Sequence, residues 1–194
     1  MSFRRTKLIG VAALLVLAGC ATTGGKAAGV MKLEDSAVVV PVRNLAGVPL
    51  KVPAVYFGDA VGKGAELDVG EIDLRLLAEA AVYAHLSELG YDVAFDQNAE
   101  SLKTPPKYEI HAAITELDMT HVRRTGRFTM GMTVMLVDAP GQFEVARGSA
   151  EREFQLLDIA PDEAGAIGEE RFIETRLQTF TEGLAREAID SAGF

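Results

Sequence analysis

The sequence predicts a single α+β domain in which a mixed, largely antiparallel sheet carries two main helices on one face. Three observations lead to this fold class. Apolar residues alternate with a period of two from about residue 108 to residue 156, as half-buried strands require. Two segments, residues 71–89 and about 162–191, carry apolar stripes at helical spacing. A β-branched run at residues 36–43 adds an earlier strand, and packing both helices on one sheet face buries their stripes.

The first half of the domain predicts two strands, a loop and a helix. Residues 36–43 form a strand buried on both faces, and Pro41 indicates an edge position or a bulge near its end. Residues 52–57 form a second short strand. The glycine-rich residues 58–70 lack the spacing of a phosphate-binding loop, so we expect an ordinary loop there. Residues 71–89 form a helix capped by Gly90, and residues 91–95 a strand.

The second half predicts a three-stranded antiparallel meander followed by a helix. The alternation that begins at Tyr108 slips by one residue, which predicts a bulge near Thr115 and Glu116. Residues 123–126 and 138–141 form the two turns, and residues 142–156 the third strand. The last helix begins at residue 162 or 163 and runs to about 191. Its apolar stripe consists of Ile173, Leu177, Phe180, Leu184 and Ala188.

The amino-terminal segment has the pattern of a secretory signal. Residues 1–7 carry three basic residues and no acid, and residues 8–17 are an uninterrupted apolar run. Such a run is too short to span a bilayer, which takes about 20 residues. The sequence Leu17-Ala18-Gly19-Cys20 resembles the bacterial lipobox, and Cys20 is the only cysteine of the chain. An ordinary signal peptide that ends near a cysteine is the alternative.

The lipobox resemblance implies a lipid anchor and a division of the chain into three parts. Residues 1–19 are a lipoprotein signal peptide. Residues 20–35 hold the acylated Cys20, with its diacylglycerol and N-linked acyl chain such as palmitate, followed by a flexible tether rich in small residues. Residues 36–194 form the periplasmic domain. Ala21 follows the cysteine where aspartate signals inner-membrane retention in enterobacteria, so the resemblance favours the outer membrane, facing the periplasm.

Composition excludes several classes of function. Processing removes three basic residues and no acidic ones, so the formal charge changes from −9 to −12. Phosphate contacts need a basic surface, so we expect no nucleic-acid partner. An anionic lipid surface would also repel the domain beyond its anchor. A single cysteine excludes an internal disulfide and a zinc site built on several thiolates.

The domain also resembles a group of envelope lipoproteins. The strand residues 38–44 (VVVPVRN) and the helix end with its following strand at residues 87–93 (SELGYDV) are similar to periplasmic domains related to the amino-terminal domain of TolB. These include the curli-secretion lipoprotein and activator lipoproteins of penicillin-binding proteins. The resemblance covers about residues 36–118 and transfers no functional residue. It implies a non-enzymatic adaptor or assembly role in the cell envelope.

No combination of residues indicates catalysis or metal binding. Cys20 is expected to be acylated, and no two of the three histidines, His85, His111 and His121, have the close spacing of metal ligands. We therefore expect no enzymatic activity, no metal and no cofactor beyond the covalent lipid.

The predicted hairpin holds the two features with functional potential. Arg123, Arg124 and Arg127 form a basic cluster on an acidic chain and are candidates for contact with an anionic partner, whereas a solvated turn that discourages edge pairing is the alternative. Four methionines lie in the same hairpin and suit either an adaptable lipid- or partner-facing surface or core packing. They are Met119, Met130, Met132 and Met135.

Two functions remain compatible with the sequence. The first is an adaptor or assembly lipoprotein that docks on another envelope protein. The second is an auxiliary lipoprotein of an envelope transport system that binds a lipid or a glycan between helix and sheet. A carrier requires a sizeable apolar cavity, whereas an adaptor requires an exposed apolar patch or an open sheet edge.

Overall fold

The computed structural model describes residues 30–60, 70–155 and 169–194. The predicted signal peptide, Cys20 and most of the tether lie outside these residues, as do residues 61–69 of the predicted glycine-rich loop. The described elements are β1 (Ser36–Val39), β2 (Arg43–Asn44), β3 (Lys51–Pro53), α1 (Val55–Ala60), β4 (Glu71–Asp73), α2 (Leu74–Glu88), β5 (Asp92–Phe95), β6 (Tyr108–Asp118), α3 (Val122–Thr125), β7 (Arg127–Asp138), β8 (Phe143–Gln155) and α4 (Glu169–Ala192).

The predicted α+β fold with a mixed sheet is confirmed. The main sheet has the strand order β5-β1-β6-β7-β8, and β2 pairs with β6 beyond the end of β1. β5, β1 and β6 are parallel, whereas β6, β7 and β8 form the predicted antiparallel meander. The core lies between the sheet and the helices α2 and α4. Among the described residues, none of the helices is long and apolar enough to cross a membrane.

The first predicted strand is interrupted at Pro41. All four residues of β1 are buried, as the β-branched run indicated. Val39 pairs with Ile110, and Arg43 pairs with Ala113, so β6 advances by three residues while the first strand advances by four. The extra residue confirms the predicted bulge. The alternative of an edge position also holds at Pro41, because β5 ends opposite Val39 and, among the described strands, β2 beyond it pairs only with β6.

Two predicted elements have different boundaries in the structure. The helix assigned to residues 71–89 begins at Leu74, because Glu71–Asp73 pairs with Lys51–Pro53 in a separate two-stranded sheet. The Asp73 carboxylate then caps the helix by accepting hydrogen bonds from the backbone amides of Arg75 and Leu76. Residues 52–57 are not one strand, because the chain turns into α1 after β3. This helix buries Phe57 completely, 6.0 Å from the ring of Phe128.

The meander contains the predicted bulge, and its first turn is longer than the predicted residues 123–126, since β6 ends at Asp118 and β7 begins at Arg127. The register of β6 against β7 shifts between Ile114 and Glu116, which confirms the bulge. The first turn is a single helical turn, α3, and it ends at Gly126 with a φ of +67°. The second turn lies at residues 138–142, where the Asp138 carboxylate accepts a hydrogen bond from the Gly141 amide.

The described part of α4 packs closely on β8, the outermost strand of the meander. A Cβ atom on Gly148 would lie 2.0 Å from the carbonyl oxygen of Ala188, so only glycine permits this approach. The Ser149 amide donates a hydrogen bond to Ser191 Oγ at 3.0 Å. The last turns of α4 therefore cover part of the free edge of β8, and the charged residues of β8 discourage pairing along the rest.

The long strands define two ends of the molecule. We call the end where β6 finishes and α3 turns the chain the tip, and the end where β6 begins and β7 turns into β8 the base. The described chain enters at the base, where the Val30 amide donates a hydrogen bond to the Gly193 carbonyl oxygen at 3.2 Å. The Asp35 carboxylate lies there too, 3.0 Å from Lys107 Nζ.

Candidate functional site

The hairpin tip presents the three predicted arginines. The side chain of Val122 is 1% exposed and anchors α3 to the core. Arg123 and Arg124 follow it and point to the surface, and Arg127 is exposed at the start of β7. Gly126 ends α3 in a left-handed backbone conformation, which directs the chain into β7 within one residue. The three arginines therefore lie close together on the two sides of this turn.

Arg123 connects the tip to α1. Its guanidinium carbon lies 5.0 Å from the centroid of the Tyr56 ring. Such an arrangement attracts a cation electrostatically and holds the arginine in a defined direction.

Arg127 joins the ends of β7 and β8. Its Nε donates a short hydrogen bond to Gln155 Oε1, its cross-strand partner. It also lies 3.9 Å from Glu153 Oε1, and both side chains of this ion pair are more than half exposed. Exposed pairs of this kind contribute about 0–1 kcal/mol, so Arg127 can exchange its partner at little cost.

Arg124 borders a shallow surface depression of about 260 Å³ at the tip. It makes no ion pair with any residue that the structure describes. Hydrogen bonds from Thr120 hold the pKa of the Asp118 carboxyl below its ordinary value, and the charge of His121 adds to this effect. The depression thus combines cationic and anionic groups. Its lining consists of Asp118, His121, Arg124, Thr125, Arg127, Phe128, Thr129 and Glu153.

A fourth arginine extends the basic surface beyond the residues predicted from the sequence. Arg176 lies on α4 and borders a second depression of about 280 Å³ on the other side of Glu153. Its Nε is buried and has no hydrogen-bond partner among the residues that the structure describes. The rings of Phe154 and Phe180, 5.2 Å apart, lie beside it. In the sequence, only the four-residue spacing between Arg176 and Phe180 indicates that these two side chains are neighbours. The same spacing occurs on any surface helix, so it does not identify a functional residue.

The three histidines lie on different elements. His85 is 8% exposed between α2 and α4, with its ring nitrogens 3.7 Å from Glu88 and 3.5 Å from Asp190. His111 contacts Glu109 at 2.9 Å on β6, and His121 precedes α3. Among residues 30–60, 70–155 and 169–194, no group of three histidine, cysteine, aspartate or glutamate side chains could hold a metal ion.

The methionines of the hairpin serve mainly as core residues. Met130 and Met132 are completely buried under the helices, and Met119 packs against the same core. Met135 is half-buried on the opposite sheet face, between His111 and Arg147. Core packing therefore accounts for Met130 and Met132.

Comparisons with known proteins identify a similar fold but assign no family. No family model matches the chain, and no curated protein matches it. Among solved structures, the hypothetical protein CT253 from Chlamydia trachomatis is similar over 82% of this chain and 95% of its own, with 10% identity and a TM-score of 0.50.

Two further solved structures are more remote in shape. A PelC dodecamer from Paraburkholderia phytofirmans gives 18% identity and a TM-score of 0.49, over 82% of this chain and 88% of that one. The lipoprotein GNA1162 from Neisseria meningitidis gives 17% identity and a TM-score of 0.39, over 75% and 97%. At 10% identity, the likeness to the Chlamydia protein shows a shared fold.

Proposed function

We propose that this protein is a non-enzymatic adaptor of the bacterial cell envelope, anchored through acylated Cys20 to the outer membrane and facing the periplasm. Its arginine-rich tip binds an acidic surface of another envelope protein. The single observation that carries this proposal is the placement of the chain entry and the arginines at opposite ends of the sheet.

The length of the sheet separates the tip from the membrane. β6 runs from the base to the tip over 11 residues, which corresponds to about 35 Å at roughly 3.3 Å per residue. A lipid on Cys20 holds the base near the bilayer, because Val30 enters there. When the base rests on the bilayer, the tip faces away from the membrane that carries the anchor, and the headgroups of that membrane are then poor candidates for its anionic partner.

The chemistry of the tip favours a protein over a free phosphate or a glycan carboxylate. The arginines are accompanied by the carboxylates of Asp118 and Glu153 in the same depression. These acids would repel a small anion, whereas a protein surface can supply positive as well as negative groups. Arg123 over Tyr56 adds an aromatic and cationic pair of the type enriched in protein interfaces.

The burial of Met130 and Met132 argues against the alternative of a lipid or glycan carrier. A carrier with its ligand between helix and sheet needs a large apolar cavity walled by these strands. Both methionines instead fill the core, with no exposed surface. Both depressions described above are lined mainly by charged and polar side chains.

The anchor is tested by replacing Cys20 with serine in the full chain. We expect Cys20→Ser to leave the membrane fraction while residues 31–194 stay folded, because acyl chains supply the attachment. Thr22→Ala is the matched control, since it alters the same segment without removing the thiol, and it should remain with membranes. Retention of Cys20→Ser in the membrane fraction would contradict the anchor.

The adaptor role is tested by cross-linking the tagged, lipidated protein in its native envelope. One stoichiometric protein should co-purify, and it should be lost from the Arg123→Glu, Arg124→Glu, Arg127→Glu triple variant. A control with the same charge change reverses Lys103, Arg147 and Arg186, which are exposed toward the base, and should retain the partner. Bound lipid or glycan without protein would favour the carrier and overturn the adaptor.

A further inference from the structure

The base of the molecule carries an apolar patch around the point of chain entry. Leu33 is 63% exposed, Leu89 41% and Val30 37%. Leu33 Cδ2 lies 3.5 Å from the position that a Cβ on Gly90 would take, so Leu33 is next to the end of α2. The amide of Val30 is bonded to Gly193 at the end of α4. Two helix ends and the incoming chain thus present three aliphatic side chains to the surface.

The charges around this patch are largely compensated. Lys32 Nζ lies 3.8 Å from Glu34 Oε1, and Arg186 Nη2 lies 3.2 Å from Glu88 Oε2. These two pairs add no net charge beside the patch, so they do not oppose its contact with a bilayer.

The length and composition of the preceding chain point to one occupant. Ten residues connect Cys20 to Val30, a reach of at most about 36 Å at full extension. An acylated Cys20 would thus hold the base at a high effective concentration near the bilayer. The intervening residues, ATTGGKAAG, contain no large apolar side chain that could cover the patch.

We infer that Val30, Leu33 and Leu89 form a docking surface that inserts into the interfacial region of the bilayer and orients the domain with its tip outward. This inference rests on the proposed anchor at Cys20. The anchor limits how far the domain can move, and the patch determines which side of the domain meets the lipid.

Fluorescence provides the test, because the chain has no tryptophan. The lipidated full chain carrying Leu33→Trp is reconstituted in phosphatidylcholine vesicles with brominated acyl chains. Leu45→Trp is the matched control, because Leu45 is also 63% exposed but lies on a loop bonded to Ile114, near the tip end of β6. We expect the brominated lipid to reduce the tryptophan fluorescence of Leu33→Trp at least about two-fold more than that of the control, because residue 33 would lie at the boundary of the acyl chains.

Three other outcomes have separate meanings. Equal quenching of the two variants on vesicle-bound protein would overturn the docking surface and leave the anchor intact. Another result is possible: bromine does not quench Leu33→Trp in dilute protein, but its emission shifts to the blue as the protein concentration rises. This result would show that the patch binds a second copy of the chain, and it would also overturn the docking surface. Failure of the lipidated chain to bind vesicles would overturn the anchor itself. Leu89→Trp serves as the second probe if Leu33→Trp does not fold, and the same expectation applies to it.

Discussion

The base and the tip of this molecule are built from the same sheet but expose opposite chemistry. At the base, the surface near the chain entry is aliphatic, and its flanking charges are paired with one another. At the tip, Arg124 makes no ion pair with a described residue, and Arg127 is held by a hydrogen bond to Gln155 and an exposed ion pair with Glu153. The two ends also differ in how they are held together, because long-range contacts close the base and a local turn forms the tip.

Under the proposed function, anchoring and recognition occupy separable parts of one fold. Changes at the base should affect stability and orientation, because α2, α4 and the entering chain meet there. Changes at the tip should affect partner binding with little loss of stability, because α3 is a surface turn anchored by one buried residue, Val122. Three substitutions test this contrast, and the first is expected to have the largest effect.

Gly148→Ala should separate the last turns of α4 from β8. The new Cβ would lie 2.0 Å from the Ala188 carbonyl oxygen and 2.4 Å from Ser191 Oγ, and a backbone atom cannot move aside cheaply. We expect a loss of about 3 kcal/mol in the free energy of unfolding, at the upper end for overpacking, measured by urea denaturation. In the control Gly183→Ala, the nearest atom is Arg152 Nη1 at 2.8 Å, at the end of a flexible side chain. An equal loss in both variants would contradict the close packing.

Asp35→Asn should weaken the base in a pH-dependent way. Burial raises the pKa of the Asp35 carboxyl, but hydrogen bonds from the Lys107 side chain and the Lys32 amide outweigh it and hold the pKa below its ordinary value of 3.8. The stabilisation is therefore present above pH 3.8 and is lost as the pH falls through the lower pKa of the folded state.

We expect the melting temperature of Asp35→Asn to lie below that of the parent protein at pH 7 and the gap to close under acid conditions. Asp118→Asn is the control at the tip, because its pKa is also lowered but through hydrogen bonds to Thr120, only two residues away. It should change the melting temperature less, since Asp35 joins segments 72 residues apart. A gap that widened on acidification would contradict the sign of this linkage.

Gly126→Ala should have the smallest effect on stability. The backbone at this position has a φ of +67°, where an L side chain costs about 1 kcal/mol. Gly47→Ala is the matched control, because Gly47 has a φ of +74° and nothing within 4 Å of an added Cβ. Gly126 is buried whereas Gly47 is exposed, so Gly126→Ala should lose at least as much stability as Gly47→Ala, and cross-linking to the partner should decrease for Gly126→Ala alone. Equal cross-linking by both would show that the conformation of α3 does not govern recognition.

Local patterns in the sequence were sufficient for the meander but not for the small sheet. The alternation along residues 108–155 and its one-residue slip predicted the strands and the bulge, since the period of side chains along a strand is a local property. The helical pattern at residues 71–73 was overridden by pairing with β3. That pairing is a tertiary contact across a long connection, which no local periodicity reports.

The tip could be predicted in part, and the base could not. Arg123, Arg124 and Arg127 stand close together in the sequence, so their grouping was visible. Arg176 comes from a helix about fifty residues later and reaches the neighbouring depression only through the packing of α4. The patch of Val30, Leu33 and Leu89 joins two distant segments, and the exposure of each leucine depends on what the fold leaves uncovered.

Site-specific photo-cross-linking in intact envelopes can identify what the tip and the base of the molecule each contact. A photoreactive amino acid is placed at residue 124 in one lipidated variant and at residue 89 in another, and the adducts are identified by mass. We expect a protein adduct from position 124 at the tip and lipid adducts from position 89 at the base. Lipid adducts from position 124, or the same protein adduct from both positions, would contradict an adaptor anchored at one end and engaged at the other.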